Sequence, residues 1–128
     1  MRCPLTRAGI KATSALSRDS IRVNATFCFP AAQAIIAAKA AAYIISSFVV
    51  RLDDIGFPGI ALIRSITQIC RHYGYATQVL AASLRSPTHV VDSAVAPSHH
   101  GAMPFKVMAM LFNHPRTDKV LQIEPAAR

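Results

Sequence analysis

At 128 residues the chain has the length of one domain, and 52% hydrophobic against 16% charged residues excludes a disordered chain and supplies enough apolar material for a core. Fourteen Lys and Arg against six Asp and Glu give a formal net charge of +8. The arginines are scattered, at 2, 7, 18, 22, 51, 64, 71, 85, 116 and 128, with no run and no interleaved aromatics. That pattern argues against a nucleic-acid partner and for a solvated surface with a site for anionic metabolites.

Residues 1–5 read as the end of a strand, and Thr6 as the N-cap of a helix over residues 7–17 that Gly9 weakens. Asp19 and Ser20 turn the chain into an alternating strand, 21–27, with Asn24 and Thr26 on one face. Pro30 opens a helix over 30–41, since proline suits the first helical position. A buried strand is predicted over 43–50, ending at Arg51 and a loop to Gly59. Leu62, Ile66, Ile69 and Tyr73 predict a helix over 60–73, closed by Gly74. A strand over 75–82 leads into Ser83, Leu84 and Arg85. Ser86-Pro87 then starts a helix through Val95, with Val90, Val91, Ala94 and Val95 inward. Residues 97–101 are irregular where another strand is due. A helix from Pro104 places Val107, Met108, Leu111 and Phe112 on an apolar face, its methionines in the core. Strand and helix alternate, which predicts parallel βαβ units in a single domain, 1–128. An eight-fold barrel needs about 200 residues, so the chain supplies about half of one.

Cys3, Cys28 and Cys70 are widely spaced without a CxxC pair, which predicts reduced, buried thiols in a cytoplasmic protein. The histidines at 72, 89, 99, 100 and 114 lack ligand spacing, so no metal and no cofactor are expected. The first 28 residues carry one acid, Asp19, in the manner of a transit peptide, but Pro4 and Gly9 break the amphipathic pattern. Residues 25–50 are long and apolar enough to suggest a membrane span, yet Lys39 and Pro30 interrupt them. A non-membrane protein is expected.

Loops after the C-terminal ends of strands bind ligands in α/β folds, and a fixed guanidinium there suits phosphate or carboxylate. Arg51 has that position. Its other reading is an ion pair with Asp53 or Asp54 that pins the loop.

The runs CPLTRAGIKA, RVNATFCFPAAQAIIAAKA, SFVVRLDDIG, YATQVLAASLRSP and FNHPRTDK, spread from residue 2 to about 120, resemble the transaldolase family, in particular its small bacterial branch with the fructose-6-phosphate aldolase-like enzymes. The resemblance implies a partial (β/α)8 TIM barrel, roughly strands four to eight with their helices, divergent at 95–103 and 121–128. It implies sugar phosphate partners and Schiff-base transfer of a dihydroxyacetone unit, as in pentose phosphate metabolism. By resemblance, Asn24 and Thr26 line the catalytic pocket, Thr26 helping to hold a proton-shuttling water. Ser46 and Phe48 contact substrate, Phe48 leaning toward transfer rather than cleavage, and Arg51, Ser83 and Arg85 hold the phosphate.

Departures from the family pattern are as informative. Arg2 occupies the position of the Schiff-base lysine, and an arginine stays charged where a neutral amine must attack. Lys11, Lys39, Lys106 and Lys119 map to helices or the C-terminal region. The first three strands, with an acid/base Asp and Glu, have no counterpart. Val50 stands for a glycine, Ser47 for a proline, and VAPSHHGAMP replaces the usual last-strand sequence; LQIEPAAR lacks the usual terminal helix pattern. The expectation is an inactive or severely impaired transaldolase-like chain. The alternative is a non-catalytic half-barrel that self-associates as a homo-oligomer, driven by an exposed apolar inner face, or binds a phosphosugar. A mis-started or frame-shifted reading of a longer gene is a third possibility.

Overall fold

A computed structural model describes residues 1–123. Five strands, β1 (Arg2–Pro4), β2 (Asn24–Thr26), β3 (Ile44–Phe48), β4 (Gln78–Ala82) and β5 (His100–Gly101), pair in parallel and in chain order. Between them run α1 (Arg7–Arg18), α2 (Ala31–Lys39), α3 (Val49–Asp53), α4 (Gly59–His72) and α5 (Pro87–Val95). Helices α6 (Phe105–Met110) and α7 (Pro115–Ile123) follow. A parallel sheet whose sequence neighbours are spatial neighbours, with a helix after each of the first four strands, is an arc of the expected (β/α) barrel.

Alternation along the strands sorts the side chains onto two faces. Ala25, Ile45, Val79 and Ala81 point to the helices and join Ala34, Ala37, Ile63, Ile66 and Cys70 in one core. Buried hydroxyls tie the layers together. Thr67 Oγ1 donates to the Ala96 carbonyl (2.7 Å), Thr77 Oγ1 to Ala42 (2.8 Å) and Ser47 Oγ to Cys28 (2.8 Å). Thr6 caps α1 by accepting from the Gly9 amide (3.0 Å), and Ser86 caps α5 by accepting from His89 (3.2 Å).

Gly9 has the opposite meaning to the one its helix propensity suggests. A Cβ there would run into the Pro4 carbonyl, so the glycine is what lets α1 lie against β1. Gly59 does the same for α4 against the Val49 backbone. The β3 strand stops at Phe48, two residues early, and Arg51 lies within the short helix α3 rather than in a loop. Strands β2 and β4 are likewise shorter than their apolar runs, and Pro30 is extended at the N-cap, one residue before α2 begins. Along α5 the inward residues are Val90, Ser93 and the C-cap Ala96, while Ala94 is exposed and Val91 and Val95 are 58% and 69% exposed. On α6 only Val107 is buried; Met108, Leu111 and Phe112 face outward. Helix α7 was not expected, and the part of the divergent segment beyond Ile123 lies outside the described residues. The face opposite the helices is mixed: Arg2, Asn24 and Gln78 share one row with Ile44, and Pro4, Thr26, Ser46 and Leu80 lie two residues further along. Among the described residues no helix is long and apolar enough to cross a membrane.

Two consequences are measurable. Gly9→Ala and Gly59→Ala each force backbone apart and should lower unfolding free energy by about 1–3 kcal/mol in a urea titration. Gly74 points into open space and needs only its positive φ, so Gly74→Ala should cost less, about 1 kcal/mol. Burial, helped by neighbouring Cys70, pushes the Cys28 thiol from its ordinary 9.0 up to about 12. The unfolded chain therefore gives up this proton first as pH rises. The stabilisation is complete below pH 9 and is lost progressively toward 12. Urea midpoints should fall across that window, and Cys28→Ala should flatten the fall.

Candidate functional site at the strand ends

Parallel strands deliver all their C-terminal ends to one side of the sheet, and the residues singled out from the sequence are distributed there and on the helix-free face. Arg2, Asn24, Ile44 and Gln78 are in register across β1 to β4. Thr26 and Ser46 lie two residues further along, on the same face. Ser46 is buried, and its hydroxyl donates to Asn24 Oδ1 at 2.6 Å, joining two of the expected pocket residues directly. Thr26 is buried and in register with Pro4. Arg2 is exposed on the edge strand β1.

Phe48 closes β3 in register with Ala82 at the end of β4. Its ring stacks on Phe27 (centroids 5.7 Å apart) and lies 6.5 Å from Phe29, so an aromatic cluster roofs the β2 and β3 exits. The Arg51 guanidinium sits over the Phe48 ring, 5.0 Å from its centroid. The ring holds the charge without neutralising it. Neither Asp53 nor Asp54 pairs with Arg51, so the loop-pin reading of this residue is replaced by another arrangement.

The aspartates serve the next strand instead. Arg85 reaches Asp54 with its two terminal guanidinium nitrogens, each at 3.4 Å. Asp53 accepts from the Gly59 amide through Oδ1 (2.9 Å) and from His89 Nε2 through Oδ2 (3.2 Å). Arg85 and Asp54 are more than half exposed, so this ion pair contributes little to stability and can be exchanged.

Among the described residues, four non-glycines have positive φ: Ser20, Phe27, Ala41 and Ser83. Ser20 and Ala41 follow helices α1 and α2, where left-handed geometry is an ordinary way to end a helix. Phe27 and Ser83 instead follow strands β2 and β4 directly. Backbone strain at strand ends is a signature of a site that needs a particular side chain direction. Ser83 is half-buried at this point, between Ala82 and the buried Leu84.

Two participants escaped the sequence reading. Phe27 gave no signal, because nothing local announces its φ of 61°. His89 did carry one: it stands three residues after the N-cap Ser86, the slot in which a capping-box side chain reaches back toward the chain before the helix. Of the other histidines, His99 Nδ1 accepts from the Val79 amide (3.0 Å) and His100 contacts Gln78 Oε1 (2.5 Å). All four lysines stand on helices, Lys11 on α1, Lys39 on α2, Lys106 on α6 and Lys119 on α7, and none on a strand.

A family model described as transaldolase/fructose-6-phosphate aldolase matches residues 2–128. Curated relatives named probable transaldolase are similar over nearly all of the chain. The one from Herpetosiphon aurantiacus is 49% identical over 122 residues, covering 95% of this chain and 55% of its own. Those from Roseiflexus castenholzii and Rhodospirillum centenum are each 50% identical, covering 92% and 94% of this chain and 54% and 53% of their own. The chain thus spans about half the length of the curated relatives it matches.

Proposed function

The chain belongs to the transaldolase/fructose-6-phosphate aldolase family, and we propose that it retains the phosphate-binding end of a transaldolase-type site while lacking the group for Schiff-base chemistry. The observation that carries this reading is the clustering of anion donors at two adjacent strand ends. Arg51 follows β3, Ser83 and Arg85 follow β4, and the two strands finish level with one another. Each donor suits a phosphate oxygen, and Arg85 already presents a fork to a carboxylate.

In the proposed complex a sugar phosphate lies along the helix-free face, phosphate toward Arg51, Ser83 and Arg85. Phe48 backs the carbon chain, and the Ser46–Asn24 pair meets its hydroxyls. Thr26 holds the water that the family's chemistry uses to move protons. Arg2 takes the lysine position, and a permanently protonated guanidinium cannot form the covalent imine. No lysine elsewhere stands on a strand to replace it. No metal or cofactor is required by this reading, and metabolism of sugar phosphates in the cytoplasm is its setting.

A second reading, self-association, is favoured by one observation: β1 and β5 pair on one side only within the described sheet. Unpaired strand edges are templates for another chain.

Calorimetric titration with fructose 6-phosphate should show binding that Arg51→Ala and Arg85→Ala each weaken by about tenfold or more, the usual scale for a lost charge-assisted hydrogen bond. Borohydride reduction in the presence of the same ligand should leave the protein mass unchanged; a stoichiometric lysine adduct would refute the missing-nucleophile half of the proposal. Light scattering on eluting protein should give a mass above the 13.8 kDa monomer, whereas a monodisperse monomer removes the self-association reading.

A further inference from the structure

We propose that His89 is a positioning residue that fixes the two phosphate-binding segments relative to each other; the proposal rests on the phosphate reading above. His89 is not expected to touch the ligand. It is the third residue of α5, and its ring bridges three parts of the site. Nδ1 accepts from the Arg85 backbone amide at 3.3 Å. Nε2 meets Asp53 Oδ2 at 3.2 Å. Its own amide is held by the Ser86 hydroxyl at 3.2 Å.

These contacts set the ring's tautomer. Nδ1 accepts a hydrogen bond and so carries no proton, which leaves the proton on Nε2, facing the Asp53 carboxylate. The neutral imidazole satisfies a backbone donor with one nitrogen and a carboxylate with the other. Few side chains can do both across this distance.

Each partner leads to a phosphate ligand. Asp53 closes helix α3, which carries Arg51 two residues earlier, and its second oxygen secures Gly59 at the start of α4. Arg85 is itself a ligand, held at its backbone by His89 and at its guanidinium by Asp54. The His89 ring therefore contacts both the Arg51 helix and the Arg85 backbone. Bidentate recognition of an anion by two arginines depends on their mutual spacing, so a loosened bridge lowers affinity without removing any ligand.

Fructose 6-phosphate binding to the intact chain tests this, with thermal unfolding measured alongside. His89→Ala removes both contacts and should weaken binding about tenfold. His89→Asn can keep the acceptor for the Arg85 amide, and His89→Gln can keep the donor to Asp53. Each should fall between wild type and Ala, with unfolding midpoints close to wild type. A ranking of this kind is expected of positioning and not of general packing, which would lower affinity and midpoint together. If the Ala protein does not fold, the Asn and Gln proteins measured against wild type decide in the same way. Equal affinity for wild type and all His89 variants, with Arg85→Ala still weakening binding, overturns the proposal and leaves the phosphate reading standing. Unchanged binding in both Arg51→Ala and Arg85→Ala overturns the phosphate reading itself, and this inference with it.

Discussion

The pairing of β3 with β4 over five residues each is the constraint on which the rest of the molecule depends. It is the longest ladder in the sheet, and it brings the ends of both strands to the same level. Its helix-facing side chains, Ile45, Val79 and Ala81, are fully buried and fix the two helices that cover them. A one-residue slip would turn those side chains to the open face and bring Ser46 and Leu80 into the core. Register in this fold is thus held by apolar burial on one side and read out as site geometry on the other.

That division explains why the donors differ in how they are held. Arg51 is steadied by an aromatic face, through a contact that leaves its hydrogen-bonding fork free. Arg85 is steadied by a carboxylate and, at its backbone, by an imidazole. Ser83 is fixed by backbone geometry alone, at a positive φ that a serine adopts only when its neighbours require it. Three kinds of restraint converge on one end of the sheet, while the residues on the opposite face of the strands do ordinary packing.

Most of this was legible in the sequence wherever the signal was local. Thr6 and Ser86 announced their helices, the alternation of strand and helix announced a parallel sheet, and the runs around Asn24, Arg51 and Arg85 announced the family. Where tertiary contact decides, the sequence was misleading. Gly9 looked like a weak spot and is a close approach; Val91 and Val95 looked like core, and Ser93 took the place. The apolar run 43–50 could not reveal that its last two residues turn into a helix, because Val49 and Val50 are as buried in α3 as they would be in a strand. The partners of Asp53 and Asp54 were invisible for the same reason. Their side-chain partners, Arg85 and His89, come from a segment more than thirty residues away, and pairing at that separation is written only in the folded chain.

The contact between Arg85 and Asp54 means that this end of the sheet already pairs its cation with an anion of its own. In the proposed complex, capture of a phosphate would be an exchange, the Asp54 carboxylate leaving as the phosphate arrives. A singly charged acid would only take that carboxylate's place, whereas a phosphate, with a second negative charge and a third oxygen, would add an attraction to Arg51 that Asp54 does not supply. On that reading the resting ion pair sets a threshold that favours doubly charged ligands.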